Sequence, residues 1–466
     1  MRGLWSNLAL VLVLAGLGAY IYFVDSKKPV SGTTPNEKVF AGVESGQVNE
    51  LTITANGQTS SLVKKDSGWQ MTAPEATDAD VTEASSLATN ITSLEQTRVV
   101  DENASDLAPY GLAEPKIKIA FKAEGGKSGE VHLGDKTPTA GDVYAVMPGS
   151  KKVFLVSSYL ETTFDKKPFD LRDKRVVKFE RDKVDALELA RGKDSIRMTR
   201  KDSEWKVDKP IAGRGDYSTI EGLLTRLSTA GMSEIVDGNP TDLKKYGLDQ
   251  PGITIAIGTG SSQAVLEISN AGEKPYGRDK SRPMVFTLDT TLADDLKKPF
   301  DQYHKKDLFE SRPFSMDKVR VTRTDGAAKT WEFSKLKRDN ADVWQVAPEG
   351  GQAADADRPK LDDLLNKLTD LKMGALVDGT KPTGLNAPVL TVSVSYDNGK
   401  FERVKVGRAG GQAYGNREGE QAMGEVAADS LKAALDAIDG AVVPPPAKPA
   451  ETSTTTTAPA TPPAKQ

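Results

Sequence analysis

Short runs of alternating apolar and polar residues recur along this chain, each followed by a stretch with helical spacing. Leu51 and Ile53, then Leu62, open a first series; Leu187 and Leu189, then Ile196 and Met198, open a second; Val319 and Val321, then Trp331 and Phe333, open a third. A period of two with polar turns between runs marks antiparallel strands with one wet face. A strand carrying Trp69, Trp205 or Trp344 closes each series and ends at Pro74, Pro210 or Pro348, because proline cannot donate to a ladder. Helical spacing comes next, at Leu87, Ile91 and Leu94, at Ile220, Leu223, Leu224 and Leu227, and at Leu361, Leu364, Leu365, Leu368 and Leu371. Pro359 falls where a first helical turn tolerates it.

A Gly-Leu-x-x-Pro turn then introduces the clearest alternation: Ile117, Ile119 and Phe121; Ile253, Ile255 and Ile257; Leu390, Val392, Val394 and Tyr396. A second strand follows at Val131 and Leu133, at Leu266 and Ile268, and at Val404 and Val406. A tyrosine comes after it each time (Tyr144, Tyr276, Tyr414), and a short helical pattern such as 427–438 ends the series. The expected unit is β-β-β-α-β-β-β-α, an α+β module with a mainly antiparallel sheet.

The spacing of the markers makes this unit a domain. Trp69, Trp205 and Trp344 lie 136 and 139 residues apart, and Gly111, Gly247 and Gly384 lie 136 and 137 apart, far beyond a solenoid repeat of roughly 20–50 residues. We expect three tandem modules, at 37–175, 176–311 and 312–440, within 466 residues. The third diverges: Thr383 stands where the others have Tyr110 and Tyr246, and its Trp-to-Pro spacing is one residue shorter.

The ends of the chain read differently. Gly3 to Val24 carries no charge, and the apolar run from Leu8 to Val24 is 17 residues long, at the lower edge of what spans a bilayer, with Trp5, Tyr20 and Tyr22 placed for the interfaces. The run continues through Tyr20 to Val24 past the small residues Gly16, Gly18 and Ala19, which favours an uncleaved signal anchor over a cleaved signal. The expectation is a short cytoplasmic segment at 1–7, a transmembrane anchor at 8–24 in contact with lipid, a linker at 25–36, and the remainder outside the cytoplasm. The 441–466 segment is rich in Pro, Thr and Ala and reads as a disordered tail.

Composition removes several chemistries. The net charge is −4 without a polybasic stretch, which argues against nucleic acid. There is no cysteine, hence no disulfide, thiol nucleophile or thiolate metal site. Of the two histidines, His132 alternates with Val131 and Leu133 on what reads as a solvated strand face, and His304 sits in the polar link Tyr303-His304-Lys305-Lys306. Neither has a second histidine nearby for a metal.

Gly125-Gly126-Lys127-Ser128 lacks the upstream glycine of a phosphate loop, and Gly407-Arg408-Ala409-Gly410-Gly411 continues into a hairpin. Gly134-Asp135 is a turn. Asp78, Asp80 and Glu83 precede the first helix as capping and first-turn acids. The three repeated tryptophans share the inward strand period with Met71, Val207 and Val346 and read as core. No catalytic, cofactor-binding or metal-binding residue is assigned.

The Trp-x-x-x-x-Pro and Tyr-Gly-Leu-x-x-Pro signatures, the segment Phe169-Asp170-Leu171-Arg172-Asp173-Lys174 and the single N-terminal anchor together resemble the bacterial family catalogued as domain of unknown function 4340. The resemblance covers nearly all of residues 1–440. It implies a single-pass inner-membrane protein with a periplasmic ectodomain. It also implies a non-enzymatic accessory or scaffold role beside gliding-motility-type ABC transporter components as membrane-protein partners, with no catalytic residues and no cofactor to carry over. The alternatives are a module that binds polysaccharide or cell-wall material and, behind it, a hydrolase.

Overall fold

The computed structural model describes residues 36–442, apart from 67, 270–274 and 378. The expected anchor at 8–24 and the tail beyond 442 lie outside the described residues. Among those described, no helix is long and apolar enough to cross a membrane. The described residues fall into two compact units that divide between Lys174 and Arg175.

In the first unit nine strands form one antiparallel sheet. Val48–Ala55 lies at its middle, beside Gln58–Lys65 and Ile117–Ala123. One side continues to Gly68–Ala73 and Thr77–Asp78; the other runs through Ser128–Lys136, Asp142–Val146 and Val153–Ser157 to Arg98–Asp101. Leu51, Ile53, Leu62, Met71, Ile119 and Val131 share one core with Ala84, Leu87, Ala88 and Ile91 of helix α1 (Val81–Thr92) and with Leu160 and Phe164 of helix α2 (Tyr159–Phe164). Asp80 caps α1, its carboxylate accepting from the Thr82 and Glu83 amides at 3.0 Å each.

The second unit holds two sheets. The first has Gly213–Arg214, Glu204–Lys209, Asp194–Lys201, Ala186–Arg191, Ile253–Thr259, Ser262–Ile268, Tyr276–Asp279, Val285–Leu288 and Met232–Asp237 in spatial order. The second has Ala354–Asp355, Ala341–Pro348, Lys329–Arg338, Met316–Arg323, Leu390–Tyr396, Lys400–Ala409, Gln412–Arg417 and Met423–Val426. Helices α3 (Tyr217–Thr229) and α4 (Thr290–Asp295) belong to the former, α5 (Arg358–Thr369) and α6 (Ala428–Ala441) to the latter. Asp216 and Asp357 cap α3 and α5 as Asp80 caps α1.

All three large sheets therefore follow one strand order, and the architecture is mainly antiparallel α+β. In the last sheet the irregular segment 374–377 takes the ninth place: the Gly374 amide donates to the Glu425 carbonyl (2.7 Å), the Glu425 amide to Ala375 (3.0 Å) and the Val377 amide to Met423 (3.0 Å).

More strands form than the alternation announces. Val153–Ser157 and Val285–Leu288 are buried on both faces, so they read as unbroken apolar runs without a period of two. Arg98–Asp101 is a four-residue edge, too short to carry a pattern. The extra residue between Trp and Pro in the first two sheets is a β-bulge. Leu62 pairs with Met71 and Ser61 with Ala73, skipping Thr72; Met198 pairs with Val207 and Arg197 with Lys209, skipping Asp208. The third sheet pairs Trp331 through Phe333 with Pro348 through Val346 without interruption.

The Gly-Leu turns dock backbone against backbone. A Cβ on Gly384 (φ +70°) would lie 2.3 Å from the Arg408 carbonyl oxygen, and one on Gly134 would lie 2.1 Å from the Tyr110 carbonyl oxygen. Tyr110 meets Tyr144 edge-on with ring centroids 5.1 Å apart, and Tyr246 meets Tyr276 at 5.4 Å. Where Thr383 replaces the first tyrosine, the Lys381 ammonium stands 5.3 Å from the Tyr414 ring instead.

Candidate functional site

The segment between the two sheets of the second unit is sewn to the edge of the first of them. The Asp216 amide donates to the Tyr303 carbonyl (2.7 Å) and the Lys305 amide to the Arg214 carbonyl (2.9 Å), so Gly215 and His304 form a bridge. From the other sheet, the Gln421 and Ala422 amides both donate to the Ala212 carbonyl, at 3.0 and 2.9 Å. Gly213 makes this approach possible: a Cβ there would stand 2.8 Å from that of Ala422. Above this seam opens a cleft of about 890 Å³, walled by residues 203–208 and 212–218 on one side and by Tyr396, Lys400 and 417–421 on the other.

An alternating chain of charges runs from the cleft lining to a buried carboxylate. The Lys305 ammonium donates to both Glu310 carboxylate oxygens at 2.8 Å. Arg214 spreads its guanidinium over three acceptors: Glu310 (2.7 Å), Glu420 (2.6 Å) and the Asp307 carbonyl (2.6 Å). Arg417 continues from Glu420 (3.4 Å) to Glu402 (3.1 Å), whose side chain is fully buried and also accepts from the Glu310 and Ser311 amides at 2.8 and 2.9 Å. Burial opposes ionisation of Glu310, yet the hydrogen bonds from Lys305 and Arg214 hold its carboxyl below the usual range. Burial likewise opposes the charge on Arg417, and Glu402 and Glu420 more than offset it. The second oxygen of Glu420, whose side chain is 10% exposed, is buried without a hydrogen bond.

His304 is 2% exposed. The sequence places it in a polar link; the structure buries it beneath the seam. Its Nε2 donates to the Ile211 carbonyl at 2.8 Å, while Nδ1, near the Phe300 backbone, completes no hydrogen bond. Next to it, burial pushes the Tyr303 hydroxyl up to about 12.

The other sequence candidates stay apart. His132 bonds Glu130 at 2.7 Å on the first sheet and is half-buried rather than solvated. Gly125 and Gly126 form a left-handed turn, as do Gly410 and Gly411 in their hairpin. Glu83 pairs with Lys166. Trp69, Trp205 and Trp344 are 3%, 3% and 4% exposed, and the Trp205 indole donates to Glu221 at 2.9 Å.

Sequence reading singled out none of the charged chain, whose members come from positions 214 to 420 with no motif spacing. One signal was available. Arg214 occupies the place that Asp78 and Asp355 take in the other sheets, opposite Lys206, Gln70 and Gln345 respectively. The copies disagree in charge at the position that makes this joint.

Fold and site together define a repeated, mainly antiparallel α+β protein whose second unit closes on a charged seam. The family model described as Domain of unknown function (DUF4340) matches residues 69–214 and again 205–388. The chain belongs to this family, and the domain is repeated within it. Each match runs from one Trp strand past the next linker, so the second includes the joint at 303–310. No curated protein and no solved structure matches the chain.

Proposed function

We propose that this chain is a non-enzymatic, membrane-anchored envelope protein, an accessory or scaffold component of an ABC-type transport assembly. In this reading three copies of one module, at 37–175, 176–311 and 312–440, follow an anchor at 8–24 in the bacterial inner membrane and stand on its periplasmic side. The uncharged run from Gly3 to Val24 supports the anchor. The shared strand order of the three sheets supports the copies.

The observation that carries the scaffold reading is the charge chain in the cleft. Three cations (Lys305, Arg214, Arg417) and three carboxylates (Glu310, Glu420, Glu402) pair with one another across the seam, the second Glu420 oxygen being left without a hydrogen bond. Groups engaged in that way fix the orientation of two modules; they are not held ready for a substrate. A protein that presents surfaces at set separations binds other proteins, and one carrying an anchor meets them at the membrane.

Affinity capture of the tagged full chain from detergent-solubilised membranes tests the reading. Co-purification of transporter subunits is expected, and recovery of the chain alone would overturn it. Protease accessibility in spheroplasts checks the orientation: digestion of the ectodomain without permeabilisation is expected.

A further inference from the structure

We propose that protonation of His304 releases the seam between the two sheets of the second unit, so that their fixed orientation is a pH-dependent state. The geometry sets the neutral tautomer. A carbonyl only accepts, so the 2.8 Å contact with Ile211 places the proton on Nε2 and leaves Nδ1 with a bare lone pair. A second proton would put a charged donor at a buried position where the Phe300 carbonyl lies near but no hydrogen bond is completed.

The charges around it give little relief. On its own segment, Asp301 is engaged by Lys306 at 3.0 Å, and Lys305 and Lys306 are themselves cations. From the adjoining edge strand comes Arg214, a further cation. From the opposite sheet comes Glu420, whose Oε1 Arg214 and Arg417 hold and whose Oε2 makes no hydrogen bond to the ring. Burial accordingly depresses the ring's affinity for a proton, more than the nearby carbonyls of Ile211 and Phe300 raise it.

The ring is 2% exposed and tightly packed on the Gly213 side, where an added Cβ would meet its Cδ2 at 3.4 Å and Ala422 at 2.8 Å. Hydrating an imidazolium there requires residues 211–216 to part from 303–305 and from 420–422. The bonds that break are those of Asp216, Lys305, Gln421 and Ala422. The sign follows from linkage: a histidine depressed below about 6.5 favours the closed seam fully above that pH and progressively less as the pH falls beneath it.

Hydrogen exchange of the full chain, read by mass spectrometry, tests this at about pH 5 and about pH 7.5, either side of the ordinary imidazole value. His304→Gln keeps a donor for Ile211 without a titrating group, and comparison at equal pH cancels the intrinsic exchange rate. Equal protection of 211–216, 303–306 and 420–422 is expected at the higher pH. At the lower pH, exchange about tenfold faster is expected in the wild type alone. Equal acid loss in both proteins, or in neither, overturns the proposal.

Should the Gln variant fold poorly, the wild-type ring decides. The chain has two histidines, and His132→Gln assigns them. A proton NMR titration of His304 with its midpoint below about 6.5 supports the proposal, and one at or above that value overturns it.

Discussion

At the scale of single residues, the seam depends on one side chain more than any other. Arg214 reaches Glu310, Glu420 and the Asp307 carbonyl with three different nitrogens, a use of the planar fork that lysine cannot copy. Removing it leaves Glu420 nearly buried with only the longer Arg417 contact. Breaking one partner of a buried pair costs about 3–5 kcal/mol, and the partial exposure of Arg214 puts Arg214→Ala at the lower end of that range. Urea unfolding of the full chain measures it, and Arg214→Lys should recover only part of the loss. A midpoint unchanged by Arg214→Ala would mean the charge chain holds nothing. Glu310 adds an acid limit. Its carboxyl is held below the ordinary value, so its contribution is complete above about pH 4.5 and fades as the pH falls from there toward its folded value. Glu310→Gln should flatten the dependence of the urea midpoint on pH in that range while leaving the proposed His304-linked change, which sets in as the pH falls below about 6.5, in place.

At the scale of elements, the glycines of the Gly-Leu turns separate packing from mere flexibility. Gly384 adopts φ +70° and lies against the Arg408 backbone, where a Cβ would come within 2.3 Å. Gly384→Ala meets both the left-handed penalty of roughly 1–2 kcal/mol and a clash that only movement of the 400–409 strand relieves. Gly326, without positive φ and with open space around it, is the control whose alanine variant should be neutral. Thermal melts of the two proteins check this, and equal melting temperatures would remove the docking role of the turn. These turns also show what sequence can carry. The Trp strands, the Gly-Leu turns, the helical stripes and the Asp80 cap were legible because each rests on local spacing, whereas the Asp216 and Asp357 caps emerged only in the structure. The bulges at Thr72 and Asp208 were visible only as a one-residue difference in spacing, since a bulge is defined by the strand opposite. Strands buried on both faces lost their alternation, and Gly374 to Val377 joined its sheet through three backbone bonds without any pattern of its own. The charged seam stayed out of reach because no local rule brings Arg214, Glu310 and Glu420 together.

At the scale of the whole molecule, the repeat in the sequence and the compact units in the structure are different divisions. The sheet order recurs three times, yet the described residues part once, between Lys174 and Arg175, and the last two sheets share one unit. The seam gives the physical reason: the edge of the second sheet ends in Arg214, whose carboxylate partners Glu310 and Glu420 lie at or beyond the linker, and the Ala212 carbonyl is satisfied by Gln421 and Ala422. Cutting the chain at 311 would leave Arg214 its Glu310 and Asp307 acceptors but remove Glu420, would strip the Ala212 carbonyl of both its donors, and would uncover Gly213 where Ala422 packs on it. Each lost charge-assisted bond is worth roughly 1.5–3 kcal/mol when its partner stays buried, a large share of the margin of about 5–15 kcal/mol that holds a typical domain. A fragment of residues 175–442 should unfold in one cooperative step, whereas 175–311 should be markedly less stable and lose protection first at 211–216. Denaturant titration followed by hydrogen exchange on the two fragments decides it. Equal stability of the shorter fragment would show that the second sheet is self-sufficient and that the seam only aligns what already stands alone.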